Sequence, residues 1–323
     1  MQFTEANKGN TIMRATEHLV FEPLIHTLVE RGSVGMIVAP AKAKKSMLAL
    51  NLVFSLLTKK NFIGLPVSSD KAKPDKIVYI NLELTKTALG VRMRAMNKHY
   101  SATPKQLENV VFLTAHEFTN DQPLVDTKTQ EVNKEPFQNL AETAKAWGAT
   151  VLIIDPLYYV VGEENDNVLM TAVIREFGKL REELNATVFV VHHTSKGHKD
   201  WSDPFLAGRG ASSLAGAFEF VLGIEPRQDN EAKLHHGSRN YASVDPFSIR
   251  FDANTLTWKS ADESTSDSIV DKIMKDLDTM PMVDFYKKSQ LSKVKADQLI
   301  ASCKTYSRTK GNAKQKATII RKL

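Results

Sequence analysis

An α/β fold built on a mostly parallel sheet is what this 323-residue chain predicts, and three observations carry the prediction. Short β-branched runs alternate with helix-length segments from Val34 to Asp252. The first five runs are apolar throughout, as strands buried on both faces are. Past Thr187 the helical segments thin out while short apolar runs continue, which predicts antiparallel strands added on the C-terminal side.

The elements follow in order. Val34 to Ala39, Lys76 to Leu82, Val110 to Thr114, Thr150 to Asp155 and Thr187 to His192 read as strands buried on both faces. Between them Ser46 to Lys59, Lys86 to His99, Pro136 to Trp147 and Asn167 to Leu184 are long enough to be the crossovers that parallel strands require. Ala217 to Ile224, Lys233 to Tyr241, Phe247 to Phe251 and Thr255 to Trp258 read as strands joined by short turns. The small polar stretch Ser260 to Ser268 predicts a linker, so a main domain over 1–259, a linker over 260–268 and a module over 269–323 are expected. Helical stretches near Ile269 to Thr279, Gln290 to Thr305 and Lys314 to Lys322 make that module compatible with a helix-turn-helix or winged-helix unit.

Composition narrows the setting. A 42% hydrophobic content supports one large core with a small appendage. The single cysteine, Cys303, excludes an internal disulfide and a Cys-based zinc cluster, and it predicts a reducing cytoplasm. Met1 to Thr16 is polar, unlike a secretory leader, and no apolar run approaches the ~18 residues that span a bilayer, so no membrane association is expected. The net charge of +6 is concentrated at the end: Ser268 to Leu323 holds 13 Lys or Arg against 5 acidic residues. Such a segment is either a solvated lysine-rich tail or a contact to a phosphate backbone.

The main chemical signal is Ala39-Pro40-Ala41-Lys42-Ala43-Lys44-Lys45-Ser46, directly after one buried strand and directly before a helix starting at Met47. A Walker A loop belongs there: backbone N–H groups surround a phosphate at the helix N-terminus, Lys45 reaches its oxygens, and the Ser46 hydroxyl serves Mg²⁺. Both loop glycines of the G-x-x-x-x-G-K-[ST] pattern are missing, with Ala39 and Lys44 in their places. Asp155 ends an apolar strand in the Walker B manner and is expected to hold Mg²⁺ through water. Glu83, 37 residues after Ser46, closes another strand and can deprotonate an attacking water; its bland alternative is a helix-start acid. His192 and His193 sit at a strand tip, where alternation lets only one of them face a nucleotide, and His193 is the chosen γ-phosphate sensor. A zinc site from His192, His193 and His198 lacks ligand spacing and a fourth ligand.

In this order the motifs resemble the RecA-like ATPases, and within them the DnaB-like and RepA-like hexameric replicative helicases of plasmids and phages. The resemblance runs from about Ser33 to Asp252. It rests on Lys45 to Leu50, on Tyr79 to Glu83, on His192-His193-Thr194-Ser195-Lys196-Gly197, on Gly208-Arg209-Gly210-Ala211-Ser212-Ser213, and on Ser238-Arg239-Asn240-Tyr241. It implies ATP and Mg²⁺ as cofactors, held by Pro40 to Met47 with Asp155, in a homo-oligomeric, hexameric ring whose sites are completed by an arginine from the neighbour. Arg209 is the first candidate for that arginine finger, and Arg239 a second candidate for the γ-phosphate. It further implies single-stranded DNA held by the loops Tyr158 to Asn167 and Lys196 to Ala207. Lys196, His198, Lys199 and Trp201 in the second suit backbone contact and base stacking, whereas the acidic first loop fits poorly.

The sequence therefore points to an ATP-dependent DNA motor, a replicative helicase of a plasmid, phage or other mobile element, with initiator or loader proteins among its expected partners. The alternative is an ATP-binding regulatory or recombination-mediator protein that does not unwind DNA, which the loss of both loop glycines favours. A transcriptional regulator carried by the terminal module is a third reading.

Overall fold

In the computed structural model the described residues are 4, 7–16, 22–68, 74–126, 129, 131–157, 167–195, 197–208, 215–261, 274, 279–289, 296–297, 300, 306–310 and 318–322. The chain divides into two units, Met1–Ala261 and Asp262–Leu323.

The first unit opens with helix α1 (Gly9–Thr16) and a short hairpin, β1 (Pro23–Ile25) with β2 (Val29–Glu30). Then come β3 (Val34–Ala39), α2 (Lys45–Thr58), β4 (Ile77–Asn81), α3 (Lys86–Tyr100), the short α4 (Pro104–Leu107), β5 (Val110–Thr114) and the short α5 (Ala115–Thr119). A second small hairpin, β6 (Val125–Asp126) with β7 (Glu131–Val132), precedes α6 (Glu135–Trp147), β8 (Val151–Asp155), α7 (Asn167–Leu184) and β9 (Thr187–His193). Four strands follow: β10 (Phe220–Pro226), β11 (Glu231–Ser238), β12 (Phe247–Asp252) and β13 (Thr257–Ser260).

These strands form one nine-stranded sheet in the order β13-β12-β11-β10-β3-β9-β8-β4-β5. The six from β10 to β5 are parallel, and β11, β12 and β13 extend the sheet antiparallel from β10. This is the α/β sheet with antiparallel C-terminal strands that the sequence predicts. The chain leaves β3 across β9 and β8 to reach β4, and later steps from β9 over β3 to β10, so strand order reverses about β3. In such sheets a crevice opens at the carboxyl ends of the strands where the order reverses.

Alternation sorts the strand side chains onto two faces. Ile37, Ala39, Tyr79, Val151, Ile153, Phe189 and Val191 pack with α2 and α3 in one core, built on Leu48, Phe54, Met96 and Tyr100. Val34, Met36, Val38, Leu152, Ile154, Val188 and Val190 pack on the other face with α6 and α7, through Phe137, Leu140, Met170 and Phe177. Helix α2 buries almost its whole circumference, because β3, α3 and β13 enclose it. This enclosure explains why its sequence is apolar on every side.

One strand departs from expectation. β5 is only half-buried, because it is the sheet's edge and pairs with β4 alone. The C-terminal unit departs further. It contains helix α8 (Met282–Ser289) and a three-stranded antiparallel sheet in the order β14 (Thr279–Pro281), β16 (Thr318–Lys322), β15 (Tyr306–Lys310). The helix predicted over Lys314 to Lys322 is thus a strand at Thr318–Lys322. Its β-branched Thr-Ile-Ile core pairs on both sides, and cross-strand pairing outweighs the helical preference of the surrounding lysines. Thr279, placed at a helix end by the sequence, begins a strand, while most of Gln290 to Thr305 lies outside the described residues. The unit has its own small core of Met274, Met280, Met282, Phe285, Ala296, Ile300 and Ile320.

Candidate functional site

Every residue of the site sits at the carboxyl edge of the parallel strands, and register decides which side chains meet. Ala39 lies opposite His193 across β3 and β9, and Asn81 lies opposite Asp155 across β4 and β8. Asp155 and His193 share the odd-numbered face with Ile153 and Val191, the face on which α2 packs. His192 points the other way and is fully buried. The strand tips thus deliver one carboxylate and one imidazole to the N-terminus of α2, where Lys45 and Ser46 begin the helix.

The loop between β3 and α2 closes on its own lysine. Lys45 is buried, and its Nζ donates to the carbonyl oxygens of Ala39 at 3.0 Å and Pro40 at 3.1 Å while lying 3.0 Å from His193 Nδ1. The Ser46 hydroxyl donates to Asp155 Oδ1 at 3.1 Å, and the Tyr79 hydroxyl donates to Asp155 Oδ2. Glu83 stands exposed just past the tip of β4, close enough for its charge to act on Lys45 and Asp155. Asn81 fixes that tip: its side chain donates to the Leu84 carbonyl at 2.6 Å and accepts from the Leu84 N–H at 3.1 Å.

Electrostatics agree with a site waiting for an anion. Burial lowers Lys45 to about 8, against the opposing pull of Asp155 and Glu83. Burial, with the Lys45 charge, lowers His193, so a neutral imidazole accepts from the ammonium through Nδ1. Burial raises Asp155, opposed by its hydrogen bonds from Tyr79 and Ser46. The direct hydrogen-bond partners of the buried Lys45 cation are all neutral, while the Asp155 and Glu83 charges act on it from farther off, so an anionic oxygen in place of a carbonyl would offset more of its burial.

Two pH effects of opposite sign follow from Lys45. Its folded pKa of about 8 lies below the ordinary 10.5, so the unfolded chain holds the proton more tightly and the lysine's contribution to stability rises with pH between those values. Affinity for a phosphate ligand moves the other way, because the free protein loses the ammonium above about pH 8 and the ligand must restore it. Calorimetry at pH 9 in buffers of different ionisation enthalpy should register uptake of about one proton per ligand bound, and none at pH 6.5. Equal proton uptake at both pH values would contradict the assignment.

Other residues named from the sequence are placed differently. Ala41 and Lys42 are exposed on the loop, Ala43 is buried, and Met47 packs into the α2 core. Lys44 turns its ammonium away from the strand tips, toward Asn230. Trp201 does not offer a ring to stack on a base: it is 8% exposed, stacked on His235 at 5.0 Å and edge-on to His198 at 4.9 Å. Gly223 makes the room, since a Cβ there would come within 2.4 Å of the indole. Lys199 is exposed and His198 half-buried. Arg239 does not join this chain's own site. It follows the end of β11, where Ser238 pairs with Phe220 and Phe220 with Gly35, at the amino edge of the parallel strands. There its guanidinium donates to the Gly216 carbonyl at 3.2 Å and lies over Phe205. Arg209, Lys196 and 158–166 lie outside the described residues. Sequence reasoning missed Tyr79, whose ring reads as core and whose hydroxyl reaches Asp155; an aromatic of hydrogen-bonding type two residues before Asn81 was the available signal.

A family model described as an AAA domain matches residues 16–199. The chain belongs to the AAA domain family. The matched residues contain the β3–α2 loop, Glu83, Asp155 and His193, and they end before Trp201, Arg209 and Arg239. The family carries a RecA-like P-loop ATPase fold, and nucleotide binding with Mg²⁺ goes with it. A solved KaiC-like protein from the hyperthermophilic archaeon Pyrococcus horikoshii OT3 is similar to this chain at 12% identity and a TM-score of 0.47, over 73% of this chain and 93% of that one. Among the described residues of the chain, no helix is long and apolar enough to cross a membrane, and no group of three or more His, Cys, Asp or Glu side chains is placed to hold a metal ion.

Proposed function

We propose that this chain is the ATP-hydrolysing motor of a ring-forming DNA helicase, with the site above as its engine. The observation that carries the reading is the 3.0 Å contact between Lys45 and His193 at the base of a loop. Immediately after His193 the chain leaves the sheet, yet Thr194 still bridges to Gly208 and the Ser195 N–H donates to the Ala207 carbonyl at 3.1 Å. Whatever displaces His193 from Lys45 therefore pulls on one root of the loop 195–207, which carries Lys199 at its surface.

The residues divide the chemistry among them. Lys45 exchanges the Ala39 and Pro40 carbonyls for β- and γ-phosphate oxygens and offsets their charge. Ser46 would offer Mg²⁺ its hydroxyl oxygen and Asp155 would hold the ion through water, the two side chains lying 3.1 Å apart. Mg²⁺, when bound, withdraws electron density from the transferring phosphoryl group. Glu83 accepts the proton of a water whose oxygen attacks the γ-phosphorus as the bond to the β-phosphate oxygen breaks. His193 exchanges its bond to Lys45 for one to the γ-phosphate and loses it again after hydrolysis. A neighbouring subunit's arginine, with Arg209 as the first candidate, makes turnover depend on assembly. A hexameric ring, single-stranded DNA through its centre and loading by initiator proteins belong to the same proposal, as does a cytoplasmic location.

Steady-state ATPase measured with and without single-stranded DNA tests the motor. Stimulation of about tenfold or more, with unwinding of a forked duplex, is expected; turnover indifferent to DNA in a purified oligomer counts against it. One observation favours the second reading, an ATP-binding switch without unwinding: Lys42 and Lys44 both occupy left-handed backbone in a loop lacking its glycines. Such a switch binds ATP and DNA and leaves the fork intact.

A further inference from the structure

Lys44 stands where the loop pattern has its second glycine, and we propose that Trp258, Phe251 and Asn230 hold this lysine in the conformation that glycine otherwise supplies. The inference rests on the nucleotide-site reading above and names what positions that site. Lys44 has φ 62° and ψ 35°, the left-handed region where a Cβ is disfavoured. The conformation matters because Lys44 is the hinge into α2: its carbonyl accepts from the N–H groups of Met47 at 3.1 Å and Leu48 at 3.2 Å. Lys45 and Ser46 therefore take their direction from it.

Three elements converge on that hinge. The Trp258 indole N–H, from β13, donates to the Lys44 carbonyl at 3.3 Å. The Lys44 ammonium donates to Asn230 Oδ1 at 3.2 Å in the β10–β11 turn. It also lies 4.7 Å from the Phe251 ring centroid, on β12, and 5.9 Å from that of Trp258. The clamp is braced in turn. Phe251 packs edge-on against Trp258 at 5.2 Å, its N–H donates to the Asn230 carbonyl at 2.8 Å, and the Trp258 N–H donates to Asn51 Oδ1 inside α2. Both the side chain and the carbonyl of Lys44 are thus tied to the antiparallel extension of the sheet. A cation over an aromatic face and a donor to its carbonyl together offset the cost of the left-handed turn. All three clamp residues lie beyond the residues matched by the family, 16–199, so the strands added after β10 complete a loop that the matched segment leaves without glycine.

Lys44 is on this account a positioning residue, and rescue by glycine is its signature. Affinity for a fluorescent ADP analogue with Mg²⁺ is measured for the full chain as wild type, Trp258→Leu, Lys44→Gly and the double variant, with circular dichroism melts alongside. Trp258→Leu is expected to weaken binding about tenfold. In the Lys44→Gly background Trp258→Leu should cost less than about twofold relative to Lys44→Gly alone. Where Trp258→Leu fails to fold, Asn230→Ala replaces it in the same cycle. An equal loss in both backgrounds, or no loss in the wild-type background while ADP still binds, overturns the clamp. Absence of binding by wild type and Lys44→Gly alike sinks the nucleotide reading and the clamp with it.

Discussion

Lys45→Ala is expected to lower ATP affinity at least about a hundredfold and to leave the nucleotide-free protein folded. The lysine is the one side chain of the loop whose ammonium lies at the strand tips, on Ala39, Pro40 and His193. A hydrogen bond to a charged group contributes roughly 1.5–3 kcal/mol, and two phosphate oxygens at that value correspond to about two to four decades of affinity. The stability expectation separates this loss from unfolding. Burial lowers the lysine's pKa to about 8, so the fold disfavours the ammonium and its removal should hold or raise the melting temperature at neutral pH. Calorimetric titration with Mg-ATP and a thermal melt on the same sample check both. Retained affinity would remove Lys45 from the site.

Glu83→Gln should act on the other side of the reaction, keeping affinity within about threefold and lowering turnover by about 10²- to 10⁴-fold, the range that a positioned general base contributes. The isosteric amide preserves shape and loses the capacity to take a proton. Glu83 is exposed, whereas Asn81 ties the tip of β4 to Leu84. Single-turnover hydrolysis with the protein in saturating excess over nucleotide isolates the step. If turnover falls in proportion to affinity, Glu83 binds rather than catalyses.

The parallel half of the fold was legible because its physics is local. Runs such as Val151 to Asp155 are apolar on both faces and helices such as α7 are long, so period and length alone separate strand from crossover. The site was legible where it sits at strand tips: alternation makes His193, and not His192, share a face with Asp155. What sequence reading lost depends on distant partners. Trp201 among cations looks like a base-stacking ring, and nothing near it in sequence shows that Gly223 and His235 make a pocket for it. Arg239 follows a strand whose antiparallel direction carries it to the far edge of the sheet. The role of Trp258 depends on a partner 214 residues away, Lys44. In the C-terminal unit the lysines around Thr318–Lys322 suggested a helix, and pairing with two neighbouring strands decided otherwise.

The central claim is that the glycine-free loop from Ala39 to Ser46 encloses a triphosphate. A crystal structure with Mg²⁺ and a non-hydrolysable ATP analogue tests it most directly. The account predicts Lys45 Nζ released from the Ala39 and Pro40 carbonyls onto β- and γ-phosphate oxygens, with Ser46 and Asp155 flanking the metal and His193 turned to the γ-phosphate. A nucleotide bound elsewhere, with Lys45 still on those two carbonyls, would contradict it.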